Sequence, residues 1–268
     1  MFALPLSTPR FPFRGVLHCL DVFERELERY EREGGNGNPY IIFVMGDRGF
    51  RDLENSQEKL LIKSIVEYDA TSHTALFRME TAIHATAAAA FSDSILLWTS
   101  KFPDHQLIHT STSSVRGPSG KNKRPDSAWK PAILQHGRDT KWPSMALEAK
   151  WSERRAKLEQ DMRFWIEGSE GQVKIALTIS VYTRGRIVIE KWAMDNNKTI
   201  FTEQKMTIVR SPAPNCPRIT GQLTLPFEDV FLKTKKSGET DFVLSHSQLE
   251  RIAADIWAVQ YTEIGRRS

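Results

Sequence analysis

The chain has 268 residues, of which 40% are hydrophobic and 26% charged, an ordinary make-up for a globular protein that can bury a core in one large domain or one domain with an appendage. Two cysteines, Cys19 and Cys216, form no CxxC pair and no zinc spacing, which excludes a disulfide framework and suits a reducing compartment. The net charge of +4 is unevenly spread: residues 101–160 hold twelve Lys or Arg against six Asp or Glu, a local +6 that leaves −2 for the rest, and a basic surface of this kind attracts phosphate.

The opening residues, MFALPLSTPRFPFRG, carry prolines and arginines and no sustained apolar run, so they do not read as a signal peptide. No segment approaches the ~20 apolar residues of a membrane helix. The expectation is a soluble, intracellular protein of the nucleus or cytoplasm.

Residues 1–15 read as a loose arm. DVFERELERYERE reads as a helix, with Asp21 and Glu24 spaced as a capping box and Val22, Phe23, Leu27 and Tyr30 on one face. GGNGN ends it, and PYIIFVMG follows as a short buried strand. The glycines are no phosphate loop, because the Lys-Ser/Thr ending is missing. ENSQEKLLIKSIVEY has helical spacing. A long alanine-rich helix is expected from about Phe77 to Thr99, its small side chains allowing close approach to a sheet.

Beyond Pro103 the pattern turns to strands. HQLIHTSTSSVR suits a strand, GPSGKNKRPD a turn, SAWKPAI a short extended segment and PSMALEAKW a largely buried strand. Ser152 is placed to cap the helix ERRAKLEQDMRFWIEG, which Gly168 would end. VKIALTISVY and IVIEKWAM form a hairpin through TRGR. An irregular, proline-bearing tail leads to a closing helix with Ser245 and Gln248 as a capping box. Residues 77–192 thus run helix, three strands, helix, two strands, a mixed α/β layer. The expected division is a helical or extended region over 1–75 and an α/β domain over 76–268.

The stretch Lys123–Glu153 concentrates the chemistry. A strand places residues i and i+2 on one face, so Glu148 and Lys150 point together and Ala149 points away. Asp126 begins the preceding strand. Two carboxylates on adjacent strands can hold a hard cation such as Mg²⁺, which prefers oxygen ligands, and that cation can polarise a phosphoryl oxygen and help generate hydroxide. The lysine beside it would orient or activate water. A plainer reading has Lys150 as the ion-pair partner that a buried Glu148 needs.

Pro125-Asp126 and Glu148-Ala149-Lys150 resemble the two halves of the PD-(D/E)XK motif of restriction-endonuclease-like nucleases. The pattern extends to that of uncharacterised fungal members of this fold through Glu148, Ser152, Glu153, Leu158 and Trp165. The resemblance covers about residues 77–192 and implies a restriction-endonuclease-like α/β core, its second core helix carrying Gln160 and Asp161. It also implies Mg²⁺- or Mn²⁺-dependent phosphodiester hydrolysis, with DNA as the expected substrate. Asp126, Glu148, the Ala149 carbonyl and Glu80 would hold the metal; Asp126, Glu148 and Lys150 would be the catalytic set. His84 lies one turn beyond Glu80 on the expected helix, and either residue could instead be solvated or packed. Lys121, Lys123, Arg124, Lys130 and Arg154 are the expected nucleic-acid contacts, with KNKR alternatively a partial nuclear signal or a solvated turn. A catalytically silent nucleic-acid-binding or protein-interaction module on the same fold is the alternative. His105 and His109 sit too far apart along a strand to share one zinc ion, and no Gly-X-Ser-X-Gly elbow is present.

Overall fold

A computed structural model describes residues 2–33, 37–110, 113–151 and 155–265, with no side-chain detail for 151 or 262–265. In chain order the first elements are β1 (Arg10–Pro12), α1 (Val16–Arg32), β2 (Tyr40–Val44), α2 (Asp47–Glu54), α3 (Lys59–Ser64), β3 (Ile65–Asp69), β4 (Thr74–Arg78) and α4 (Ala82–Thr99). There follow β5 (Leu107–His109), β6 (Val115–Arg116), β7 (Lys121–Lys123), β8 (Ser127–Pro131), β9 (Met145–Trp151), α5 (Arg155–Ile166), β10 (Ile175–Val181) and β11 (Ile187–Met194). The last are β12 (Ile200–Ile208), β13 (Ile219–Gly221), β14 (Thr224–Leu225), α6 (Phe227–Phe231), β15 (Phe242–Val243) and α7 (His246–Gly265). No described helix is long and apolar enough to cross a membrane.

The chain divides into two compact units, Met1–Thr81 with Thr112–Arg124, and Ala82–Ser111 with Pro125–Ser268. The first unit holds a six-stranded sheet ordered β1-β2-β4-β3-β7-β6. Its core joins Phe23 of α1 to Phe77, and Phe43 to Phe77 edge-on at 5.0 Å. The region is richer in strands than the sequence suggests. Helical spacing in ENSQEKLLIKSIVEY holds only through Ser64, after which β-branched Ile65 and Val66 begin a strand paired with β4. The helix α1 starts at Val16, so Asp21 lies inside it and caps nothing. The residues GKNKRPD are not a simple turn, because Lys121–Lys123 pair with Glu67–Asp69 as β7.

The second unit is mixed α/β, built on a seven-stranded sheet ordered β13-β12-β11-β10-β9-β8-β5. Strands β5, β8 and β9 pair antiparallel, and β9 and β10 run parallel with α5 as the connection. Helix, three strands, helix, strand is the order read from the sequence for a restriction-endonuclease-like core, with the hairpin β10–β11 following as expected. The helix α4 starts at Ala82 rather than near Phe77, which is in β4.

Alternation along β9 assigns its two faces. Met145, Leu147 and Ala149 enter the core with Ile83, Ala87, Phe91, Ile95 and Trp98 of α4 and with Leu249, Ile252 and Ile256 of α7. Glu148 and Lys150 point to the other face, under α5. The expected cap of α7 is present: Gln248 N–H donates to Ser245 Oγ at 3.2 Å, and Ser245 N–H donates to Gln248 Oε1 at 3.0 Å.

Candidate active site

Asp126 stands one residue before β8, and its N–H donates to Leu147 O at 3.2 Å. Since Ser127 pairs with Leu147, extending the ladder by one residue sets Asp126 opposite Glu148. The carboxylate Oδ2 accepts the Ala149 N–H at 2.7 Å. This backbone donor lies beyond the end of β8, and the side chain satisfies it in place of a strand. The other oxygen, Oδ1, lies 3.1 Å from His84 Nε2 on α4. Both side chains are almost wholly buried, at 4% and 6% exposure.

Glu148 is 1% exposed and Lys150 2%. Lys150 Nζ lies 3.6 Å from Glu148 Oε2 and 3.1 Å from Asp161 Oδ2. Lys157 Nζ donates to Asp161 Oδ1, and the Trp165 indole N–H donates to Glu148 Oε1 at 2.8 Å. Two lysines and two carboxylates thus form a chain from β9 to α5. Such burial demands close pairing, because an isolated charge out of water is strongly unfavourable. Lys157, Asp161 and Trp165 recur every four residues and so project from one side of α5.

The structure therefore brings Asp126 to the β9 backbone between Glu148 and Lys150, and adds three partners that the sequence reading left out of the site: His84 to Asp126, Asp161 to Lys150, and Lys157 to Asp161. The signal for the last two is in the sequence. Leu158, Met162 and Trp165 mark the buried side of α5, and the row 157, 161, 165 runs along it. Glu80 precedes α4 and belongs to the first unit, so Glu80 and His84 do not share a helix face as expected.

The expected nucleic-acid contacts are dispersed. Lys121 lies 3.7 Å from Glu67 and 4.0 Å from Asp69, Lys123 is 2% exposed, and Arg124 donates to Ile62 O; all three are in the first unit. Lys130 Nζ donates to Thr140 O at 2.8 Å. Arg154, with Ser152 and Glu153, lies outside the described residues. His105 bonds Glu239 at 2.6 Å while His109 stacks on Trp129, so this pair does not converge on an ion.

Among the described residues no three His, Cys, Asp or Glu side chains converge as a metal site. The donors at the β8–β9 seam are nonetheless hard oxygens. They comprise two carboxylates and the Ala149 carbonyl, which in a strand faces the same neighbour as its own N–H. Mg²⁺ is commonly held by one or two carboxylates, with water and substrate phosphate completing its shell; these donor types match that pattern, while Asp126 is bonded toward α4 through His84 and Glu148 toward α5 through Trp165.

No family model and no curated protein matches the chain. Among solved structures, a candidate nuclease of the DUF820 family from Anabaena variabilis is similar over 62% of this chain and 88% of its own, at 10% identity and a TM-score of 0.39. That overlap is too slight to bear on activity.

Proposed function

We propose that the second unit is a metal-dependent nuclease acting on phosphodiester bonds, with DNA as substrate. The observation that carries this reading is the 2.7 Å bond from the Ala149 N–H to Asp126. It brings a carboxylate from one strand onto the residue between Glu148 and Lys150 on the next. Asp126, Glu148 and the Ala149 carbonyl would hold Mg²⁺ or Mn²⁺. The ion when bound supplies polarisation of the phosphoryl oxygen and a lowered pKa for water. Lys150 places a positive charge beside Glu148, where an attacking water and an anionic substrate need one. His84 orients Asp126 by occupying its outer oxygen, and Trp165 does the same for Glu148.

A second reading rests on burial. Glu148, Lys150, Lys157 and Asp161 are each 1–2% exposed and balance in charge, the arrangement of a structural ion network in a catalytically silent protein of the same fold.

Cleavage of end-labelled DNA in Mg²⁺ or Mn²⁺ separates the two. Asp126→Asn and Glu148→Gln keep the shape and much of the hydrogen bonding of each site. Loss of an outer-sphere partner already lowers the activity of metal sites by about 10–100-fold, so loss of a ligand is expected to lower cleavage by at least ~100-fold with the fold retained. Cleavage that survives Asp126→Asn, or a wild-type protein that binds DNA equally well in chelator and never cuts it, would remove the nuclease reading and leave the silent one.

A further inference from the structure

The turn joining β10 to β11 carries a second concentration of charge, distinct from the seam of β8 and β9. Four exposed arginines meet there: Arg184 and Arg186 in the turn, Arg210 after β12, and Arg218 before β13. Three lie over aromatic rings. The Arg186 guanidinium is 4.1 Å from the Tyr182 ring centre, Arg210 is 3.1 Å from Tyr261, and Arg218 is 5.2 Å from Trp257.

The α7 helix clamps the turn from below. The Trp257 indole donates to Gly185 O at 2.8 Å, and Gln260 Nε2 donates to the carbonyls of Tyr182 and Thr183, each at 3.1 Å. Gly185 has φ +75, and a Cβ there would stand 3.0 Å from Arg210 Cβ and 3.2 Å from Trp257 Nε1. Turn, arginine and helix therefore pack on a residue that only glycine fits.

None of the four arginines forms an ion pair among the described residues. Arg155 and Arg163 of the same unit are by contrast matched, Arg155 to Glu159 and Glu190 and Arg163 to Glu167. A guanidinium over a ring and without an ion pair among the described residues has N–H donors to offer, and the planar fork of arginine suits phosphate two bonds at a time. The position points the same way. Lys150 pairs with Ser180 in the parallel ladder, and the turn begins at Tyr182, two residues or about 7 Å farther along the strand. The arginines thus crown the end of the sheet toward which the Glu148–Lys150 segment runs.

We propose that this arginine face binds the phosphodiester backbone of a nucleic acid. The choice of polyanion rests on the nuclease reading above, and names where that substrate would be gripped beyond the reacting bond. A membrane surface fits less well, because Trp257 is 7% exposed under Arg218 and so is not presented for insertion between lipids.

The test is binding of a fluorescein-labelled 20-base-pair DNA to the full-length protein in EDTA, read by anisotropy over a range of NaCl. A parallel titration with RNA of the same length separates the two kinds of backbone. The triple variant Arg186→Gln, Arg210→Gln, Arg218→Gln is expected to bind at least tenfold more weakly. It should also flatten the slope of log affinity against log salt by roughly 2–3 units, one counterion release for each lost contact. Arg184 has no ring or hydrogen-bond partner among the described residues, so Arg184→Glu tests the same face with the fold retained, and should weaken binding at least threefold. Affinity and salt slope unchanged in Arg184→Glu and the triple variant, or no binding of either nucleic acid by wild type, overturns the proposal. Arginine-dependent binding to phosphatidylserine vesicles with arginine-independent DNA binding overturns it in favour of a lipid surface. Arginine-dependent DNA binding by a protein that never cleaves sustains the face while removing the nuclease reading.

Discussion

The Trp165 indole N–H reaches Glu148 Oε1 at 2.8 Å across the gap between α5 and β9. The bond anchors a helix to a buried strand carboxylate whose other oxygen faces Lys150. Trp165→Phe keeps an aromatic ring and removes the donor to the buried Oε1. The expected loss is about 1–3 kcal/mol, read as a lower urea midpoint. An unchanged midpoint would mean that Glu148 is satisfied without the indole.

Lys150 lies between two acids, Glu148 and Asp161, so its removal leaves excess negative charge out of water. Lys150→Met should destabilise the protein by about 3–5 kcal/mol. Adding Asp161→Asn should restore part of that loss, because the two changes act on one network. Strict additivity in the double-mutant cycle would show that the two side chains are not coupled. For the same reason Lys150→Ala is a poor probe of catalysis alone: lost activity could follow from lost structure.

The two cysteines should differ sharply in reactivity. Burial pushes the Cys19 thiol up to about 12, whereas Cys216 is exposed. The thiolate is the reactive species. A disulfide reagent at pH 8 should therefore titrate one thiol per native chain at once and the second only in denaturant. Two fast thiols in the native protein would contradict the packing around Cys19.

Ser245 accepts the Gln248 N–H at the start of α7. Ser245→Ala should cost about 1 kcal/mol, seen as a lower Tm by circular dichroism. Because α7 supplies Leu249, Ile252 and Ile256 to the main core of the second unit, the loss should appear in that unit's cooperative transition rather than as local fraying.

Asp241 should contribute to the acid limb of stability. The Phe227 N–H donates to its Oδ1 at 2.9 Å, and with Lys235 at 3.1 Å this holds the carboxyl below the usual aspartate range. A carboxyl depressed in the folded state stabilises it above the unfolded pKa of about 3.9, and that contribution fades as the pH falls through the lower folded value. Tm measured from pH 5 to pH 2 should fall less steeply in Asp241→Asn than in wild type. Identical slopes would exclude the carboxyl as a contributor.

Much of the second unit was legible before its coordinates. Period-2 alternation in MALEAKW, the β-branched run IALTISV and the Ser245–Gln248 spacing each encode a local preference, and each is realised in β9, β10 and the cap of α7. Local patterns of this kind survive into the fold because backbone propensity and burial favour the same answer there. The first unit was harder to read. LLIKSIVEY satisfies helix and strand periods equally over a few residues, and pairing with β4 decided the matter after Ser64.

By itself the sequence determined which residues could carry charge chemistry and which face of β9 they share, since a strand's two-residue period needs no partner to be read. Only the tertiary structure decided that Lys121–Arg124 leave the path between β5 and β8 to join another sheet. It also decided that Asp126 closes on Ala149 and His84, and that Lys150 is claimed by Asp161 as well as Glu148. Those outcomes depend on contacts between segments far apart in the chain, where the need to satisfy each buried charge and backbone donor selects partners that no local pattern specifies.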